Sequence, residues 1–279
     1  MSTAVTQAAK AAAFQALHTD PGFFIIPNPW DAGSAKILAS LGFKALATTS
    51  AGTAFVLGKP DGEGITTRED TLENLRTIAS ATSLPVSADM ENGYGDSPED
   101  CASAVRMAAG AGAVGCSIED ATGRKDDPIY SLESSVARIK SAVITARSLP
   151  FHFTLTARAE NYLHGRPDLD DTIRRITAFA EAGADVLFAP GLKTKEEITA
   201  AVKAVAPKPI NLIMGIPQMT LTIAEAQSLG VKRVSLGSAF IRSAYGGFTR
   251  AAEEVLQKGS FSFAQTATPY AELNKLFRP

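Results

Sequence analysis

Apolar residues along this chain fall into short, near-continuous runs, separated by longer segments in which they recur every three or four positions. Four junctions share one pattern, an apolar helical stretch, a glycine and then a β-rich run: Leu41-Gly42-Phe43, Ala111-Gly112-Ala113, Ala182-Gly183-Ala184 and Leu229-Gly230-Val231. A glycine just past a helix takes the left-handed conformation that ends it and turns the chain into the next strand. The first three junctions lie roughly 70 residues apart, about two strand–helix units each.

Filling in the intermediate units predicts eight strands: Phe23–Pro27, Ala45–Thr49, Pro85–Asp89, Val114–Ile118, His152–Ala157, Asp185–Ala189, Ile210–Met214 and Arg233–Leu236. Most are apolar or β-branched throughout, as parallel strands covered on both faces are. Periodic helices lie between them, among them Pro98–Ala109, Leu132–Arg147, Leu169–Ala182 and Lys195–Val205, and Asp or Ser-Pro starts fit their first turns. Strict alternation to eight predicts an α/β fold, a closed (β/α)8 TIM barrel rather than an open doubly wound sheet. No linker-like stretch divides the chain, so residues 1–279 are expected to form a single barrel domain. A first helix over Ser2–His18 and a helical tail over Pro269–Phe277 flank it.

Composition narrows the function classes. The net charge of −2 supplies no basic field for nucleic acid. The apolar runs fall far short of the ~20 residues a membrane helix needs. Cys101 and Cys116 are too few for a disulfide framework, and the N-terminal stretch lacks the marks of a signal or transit peptide, so the expected location is the cytoplasm.

In such a barrel the active site forms where the strands end. The third run ends in Asp89-Met90-Glu91, the fourth in Glu119-Asp120, and the fifth in Arg158 and Glu160; Asn211 lies in the seventh, and the second loop carries Asp61 and Glu63. Carboxylates crowded on one rim repel unless a cation compensates them. Hard oxygen ligands favour Mg²⁺, with Mn²⁺ possible, and three histidines, His18, His152 and His164, build no zinc cluster. Gly110-Ala-Gly-Ala-Val-Gly115 spells a dinucleotide motif, but it ends a helix and opens a strand, the reverse of what that motif needs. The two cysteines read as core residues. Trp30 suits the pocket wall and the packed rim equally.

Several runs together resemble the isocitrate lyase and phosphoenolpyruvate mutase superfamily: Ser87-Ala-Asp-Met-Glu-Asn-Gly-Tyr-Gly95, Ser117-Ile-Glu-Asp120, Leu57-Gly-Lys-Pro-Asp61, Thr156-Ala-Arg-Ala-Glu160 and Gly230-Val-Lys-Arg-Val-Ser-Leu-Gly237. The resemblance spans Pro27 to Gly247, in order. It implies Asp89 as the direct Mg²⁺ ligand, with Glu91 and Glu119 holding the metal largely through its waters. It implies Asp61 as a loop acid near metal and substrate, and Thr49, Ser50 and Ala51 as the segment whose amides receive a substrate oxyanion. Arg158 would bind substrate and offset developing charge, and Asn211 would contact substrate. Lys125 matches a loop lysine of the mutase branch.

Departures matter too. Where lyases of this family carry an acid–base cysteine in a gating loop, Gly123-Arg-Lys-Asp-Asp-Pro128 stands here, with Asp127 near the cysteine position. Pro190 replaces the family's His or Glu, and Glu91 replaces its more usual Asp. The resemblance thus implies a Mg²⁺-dependent enzyme cleaving a C–C bond of a small 2-oxo or 2-hydroxy di- or tricarboxylic acid through a pyruvate-enolate-like intermediate. The alternatives are phosphonomutase or phosphonopyruvate-hydrolase chemistry on a phosphonate substrate, and a non-catalytic metabolite-binding barrel. The family also implies a homo-oligomer, a tetramer or dimer, with C-terminal helices exchanged between subunits.

Overall fold

A computed structural model describes residues 5–278. Its strands are β1 (Phe24–Ile26), β2 (Leu46–Ala47), β3 (Val86–Asp89), β4 (Gly115–Glu119), β5 (Thr154–Arg158), β6 (Val186–Phe188), β7 (Ile210–Ile213) and β8 (Arg233–Ser235). Each lies inside its expected range or one residue past it. The helices begin with α1 (Gln7–Thr19), α2 (Ala32–Ser40), α3 (Ser50–Val56), α4 (Arg68–Ser80), α5 (Pro98–Gly110) and α6 (Leu132–Ser148). They continue with α7 (Leu169–Glu181), α8 (Lys195–Val205), α9 (Ile223–Ser228), α10 (Ala239–Lys258) and α11 (Tyr270–Phe277). The first helix thus starts later than expected: Thr6 caps it through Ala9 N–H, and the expected turn over Ser2–Ala4 lies outside the described residues.

All strand pairs are parallel, in the order β1-β8-β7-β6-β5-β4-β3-β2, which curls the sheet into a nearly closed (β/α)8 barrel. The remaining seam, between β1 and β2, is bridged rather than laddered. Ala47 N donates to Pro27 O at 3.1 Å. The buried Asn28 side chain donates to Ala47 O and Thr48 O, both at 3.1 Å, and accepts from Leu236 N at 2.9 Å and Gly237 N at 2.8 Å. One carboxamide thereby ties β8, β1 and β2 together at the rim.

Residues of alternating direction divide the strands between two cores. Val86, Ala88, Cys116, Ile118, Leu155, Ala157, Leu187 and Val234 pack outward against the helices in one continuous cluster. A smaller cluster of Phe14, Phe24, Ile26 and Val114 forms where α1 seals the amino-terminal mouth. Gly115 is required there, because a Cβ would stand 2.6 Å from Thr154 O and 3.0 Å from the Phe14 ring. The junction glycines Gly42, Gly112, Gly183 and Gly230 have φ of 91°, 102°, 103° and 88°, as their position after helices predicts. With the lower mouth plugged, the interior opens only toward the carboxyl ends of the strands.

Candidate active site

Asp89 closes β3, and the chain then makes a tight turn in which Glu91 (φ 47°) and Tyr94 (φ 61°) adopt the left-handed conformation without being glycine. Such backbone persists only where its surroundings dictate it. Arg138, fully buried on α6, supplies that constraint. Its guanidinium donates to Gly95 O at 2.8 Å and to Asn92 O, and lies 4.2 Å from the Tyr130 ring centroid. The turn places Tyr94 Oη to donate to Glu91 Oε1 at 2.9 Å, and Thr71 Oγ1, 2.6 Å away, completes the chain as donor to Tyr94.

Arg158 ends β5 in register with Glu119 of β4. Its Nη1 lies 3.1 Å from both Asp89 Oδ1 and Glu119 Oε2, and its Nη2 lies 2.8 Å from Glu160 Oε1. Asp89 is also gripped at its other oxygen, where Ser50 N donates at 3.0 Å, while Ser117 Oγ donates to Oδ1 at 3.3 Å. Asp120, next to Glu119, turns the other way: it accepts from Glu160 N at 2.8 Å and from Arg175 Nη1 at 3.0 Å, so it braces the rim.

Acid outweighs base here. Asp61, Asp89, Glu91, Glu119 and Glu160 surround the site, and among the described residues only Arg158 makes ion pairs with them. Burial, and after it the Asp89 charge, raises Glu91 to about 7. The same two causes, in the same order, raise Asp61. Burial lifts Glu119 well above the usual carboxylate range and lifts Glu160 less, Arg158 pulling both the other way. Negative charge held at such a cost is what a divalent cation would relieve. Among the described residues no three acidic, histidine or cysteine side chains converge into a ready cage. The donor set therefore fits a largely hydrated hard cation, gripped directly by few oxygens, better than a dehydrated one.

The open end holds two connected spaces. An outer pocket of about 780 Å³ is lined by Asp61, Glu91, Glu119, Arg158, Glu160 and His164 among others. An inner cavity of about 270 Å³ runs down the barrel past Thr49, Ser50, Ala51, Asp89, Pro190 and Asn211. Ser50, Asp61 and Arg158 line both. Lys125, by contrast, is exposed and outside either lining; its loop offers Arg124 instead, whose Nη1 meets Asp96 Oδ1 at 3.0 Å. Tyr94, His164, Arg233 and Ser235 line these spaces although the sequence alone marks none of them as a site residue, and it marks Glu160 only as a rim residue. Two-residue alternation was the available signal: Glu160 follows Arg158, and Ser235 follows Arg233, on the inward face.

A barrel carrying an acid cluster around one arginine at its carboxyl-terminal mouth has the build of a (β/α)8 enzyme. The family model described as phosphoenolpyruvate phosphomutase matches residues 14–256, and the chain belongs to the isocitrate lyase/phosphoenolpyruvate mutase superfamily of enzymes. An uncharacterized Mycobacterium tuberculosis protein is 33% identical over 263 residues, covering 93% of this chain and 94% of that one. A solved structure from Burkholderia cenocepacia J2315, described only as a lyase/mutase, is 56% identical with a TM-score of 0.95, covering 98% of this chain and 97% of that one. Oxaloacetate acetylhydrolase, solved in complex with its product oxalate, is 29% identical with a TM-score of 0.86, covering 96% and 93%.

Proposed function

We propose that this protein is a Mg²⁺-dependent lyase that breaks a C–C bond in a small 2-oxo or 2-hydroxy di- or tricarboxylic acid by way of a pyruvate-enolate-like intermediate. One observation carries the reading: Asp89, Glu119 and Glu160 converge on the Arg158 guanidinium beside the Ser50 amide, at the mouth of a cavity sized for a small acid. Asp89 would be the direct metal ligand, with Glu91 and Glu119 reaching it through water. Bound Mg²⁺ supplies Lewis-acid polarisation of a chelated 2-oxo acid.

The chain's own groups do the rest. Arg158 is pinned by three carboxylates, so its charge is fixed in place before negative charge develops on the substrate, and a preorganised donor of this kind contributes about 3 kcal/mol. The Ser50 amide stands on Asp89 and Ala51 lines the same cavity; their N–H groups would take a substrate oxyanion, Ser50 N by exchanging its Asp89 partner for the substrate. Glu91, raised to about 7 by burial and the Asp89 charge while no cation is bound, accepts from Tyr94 at Oε1, and Mg²⁺ would favour the carboxylate form that holds the metal's water. The relatives support the reaction class: an Escherichia coli 2-methylisocitrate lyase is 35% identical over 183 residues. The phosphonomutase alternative leans on Lys125, which stands outside the pocket lining.

The same proposal includes a cytoplasmic homo-oligomer, dimer or tetramer. Both cysteines are free and buried, and no helix among the described residues is long and apolar enough to cross a membrane. The reading is tested by calorimetry with oxalate, which copies the planar oxyanions of a pyruvate enolate. Binding should require Mg²⁺ and should fall by at least ~100-fold in Asp89→Ala. Oxalate binding indifferent to both metal and Asp89 would remove the enolate site.

A further inference from the structure

Breaking a C–C bond to an enolate leaves one proton to be placed on carbon, and no group assigned to the site above delivers it. Asp127, near the position of the lyases' acid–base cysteine, is exposed, meets Arg124 Nη2 at 3.4 Å and lines neither of the two spaces. The acids of the outer pocket are engaged elsewhere. Asp61, Glu91 and Glu119 all feel the Asp89 charge, on the side where a divalent cation favours their ionised forms. Glu160 is paired with Arg158, and Asp96 with Arg124 and Tyr130.

His164 stands apart from this network, on the wall of the same pocket. The loop after β5 brings it there. Leu163 N and His164 N both donate to Glu160 O, at 2.9 and 3.3 Å, so the chain turns sharply just past the Arg158–Glu160 pair. Asn161, fully buried, holds the far limb of the loop through Nδ2, which donates to Arg166 O at 3.0 Å and Asp168 O at 3.1 Å. A loop braced in this way presents the imidazole in a fixed place. The ring itself takes no hydrogen bond from the protein among the described residues. Partial burial, then the charges of Arg158 and Arg166, hold its pKa below the ordinary value. At neutral pH it is therefore uncharged, with a lone pair on one ring nitrogen that no carboxylate or arginine occupies.

We infer that His164 is a catalytic residue, the carrier that passes a proton to the enolate carbon. This rests on the enolate reading and completes it. The substrate hydroxyl that becomes the new carbonyl loses its proton to the free ring nitrogen. The oxygen's electron pair forms the C=O, the C–C bond breaks, and the pair of that bond passes into the enolate. The imidazolium then gives the same proton to the enolate carbon, whose C=C pair becomes the C–H bond. One proton moves from oxygen to carbon and no other reactant is consumed. Negative charge developing beside Arg158 offsets the cation that otherwise disfavours the imidazolium, so the ring gains basicity as the bond breaks.

Pyruvate isolates the second half of this cycle, because exchange of its methyl hydrogens for deuterium passes through the same enolate in both directions. In D₂O with Mg²⁺, wild-type protein should deuterate the methyl group, read from its proton NMR signal, and His164→Gln should slow this by about 100-fold or more, the scale of general acid–base catalysis. Mg²⁺-dependent oxalate affinity should stay within about threefold in the same variant, as for a loop substitution away from the oxyanion donors. A second readout needs no turnover: oxalate with Mg²⁺ should shield His164 from carbethoxylation by diethyl pyrocarbonate, followed by peptide mass. Undiminished exchange in His164→Gln, no exchange by a wild type that binds oxalate, or full reactivity of His164 under bound oxalate overturns the assignment and leaves the enolate site standing. Parallel loss of exchange and oxalate affinity in the variant also overturns it, since His164 would then hold the ligand rather than carry its proton. Loss of Mg²⁺-dependent oxalate binding in the wild type removes both readings.

Discussion

His18 shows how a single residue below the site ties acid stability to the barrel floor. Its Nδ1–H donates to Phe14 O at 2.8 Å, which leaves Nε2 to accept from Arg233, and its ring packs edge-on against Phe14 and Phe24. Burial first, then the Arg233 charge, holds its pKa down to about 3, with Lys232 and His152 adding in the same direction. The unfolded chain, with an ordinary pKa near 6.5, therefore binds the proton first, and the stability present at neutral pH drains away as pH falls from about 6.5 toward 3. Between about pH 7 and about pH 5 this one group should cost the wild type about 2 kcal/mol. Denaturant titrations of wild type and His18→Gln at both pH values check it; equal losses in the two proteins would show that the imidazole stays outside the acid response.

At the scale of elements, the turn between β3 and α5 owes its shape to a side chain from α6, two elements further along the chain. Arg138→Met removes donors to the Asn92 and Gly95 carbonyls and should destabilise the fold by about 2–3 kcal/mol, because buried acceptors are left without partners. It should also weaken Mg²⁺-dependent oxalate binding, since Glu91 and Tyr94 ride on the same turn; full oxalate affinity in a destabilised but folded variant would separate the two roles. Such cross-element dependence marks where the sequence stops being legible. Strands could be placed to within two residues because buried parallel strands are continuous apolar runs and the junction glycines punctuate them. The rim acids could be found because strand ends are where such runs turn polar. The grip of Arg158 on three carboxylates, the Thr71–Tyr94–Glu91 chain and the neutral cage that Asn211, Thr156 and His18 form around Arg233 could not, because each joins residues from separate elements whose side chains meet only after the barrel has curled. Lys125 is the converse case: a motif position preserved in sequence whose side chain stands away from the cavity.

For the molecule as a whole, the least settled surface is carried by α10. Of its 20 residues only Ile241 is buried, while Phe248 is 72% and Leu256 86% exposed. An apolar stripe of this kind calls for cover, and in the proposed homo-oligomer a second copy of the chain provides it. Phe248→Lys combined with Leu256→Lys should then shift sedimentation from an oligomer to a monomer; a wild type already monomeric at micromolar concentration would rule the assembly out. At the barrel seam, the Asn28 carboxamide ties together the first strand, the second, and the segment just after the last. The backbone amides that donate to its oxygen, at Leu236 and Gly237, are more than 200 residues downstream of it. A chain emerging from the ribosome can therefore build most of its strand–helix units in turn, but it cannot shut the ring until that distant amide pair has been synthesised. Closure is set late by the order of the sequence itself, after a long loop has paid its entropy. Until then the exposed edges of β1 and β2 are the stretch of the nascent protein most in need of shelter from other chains.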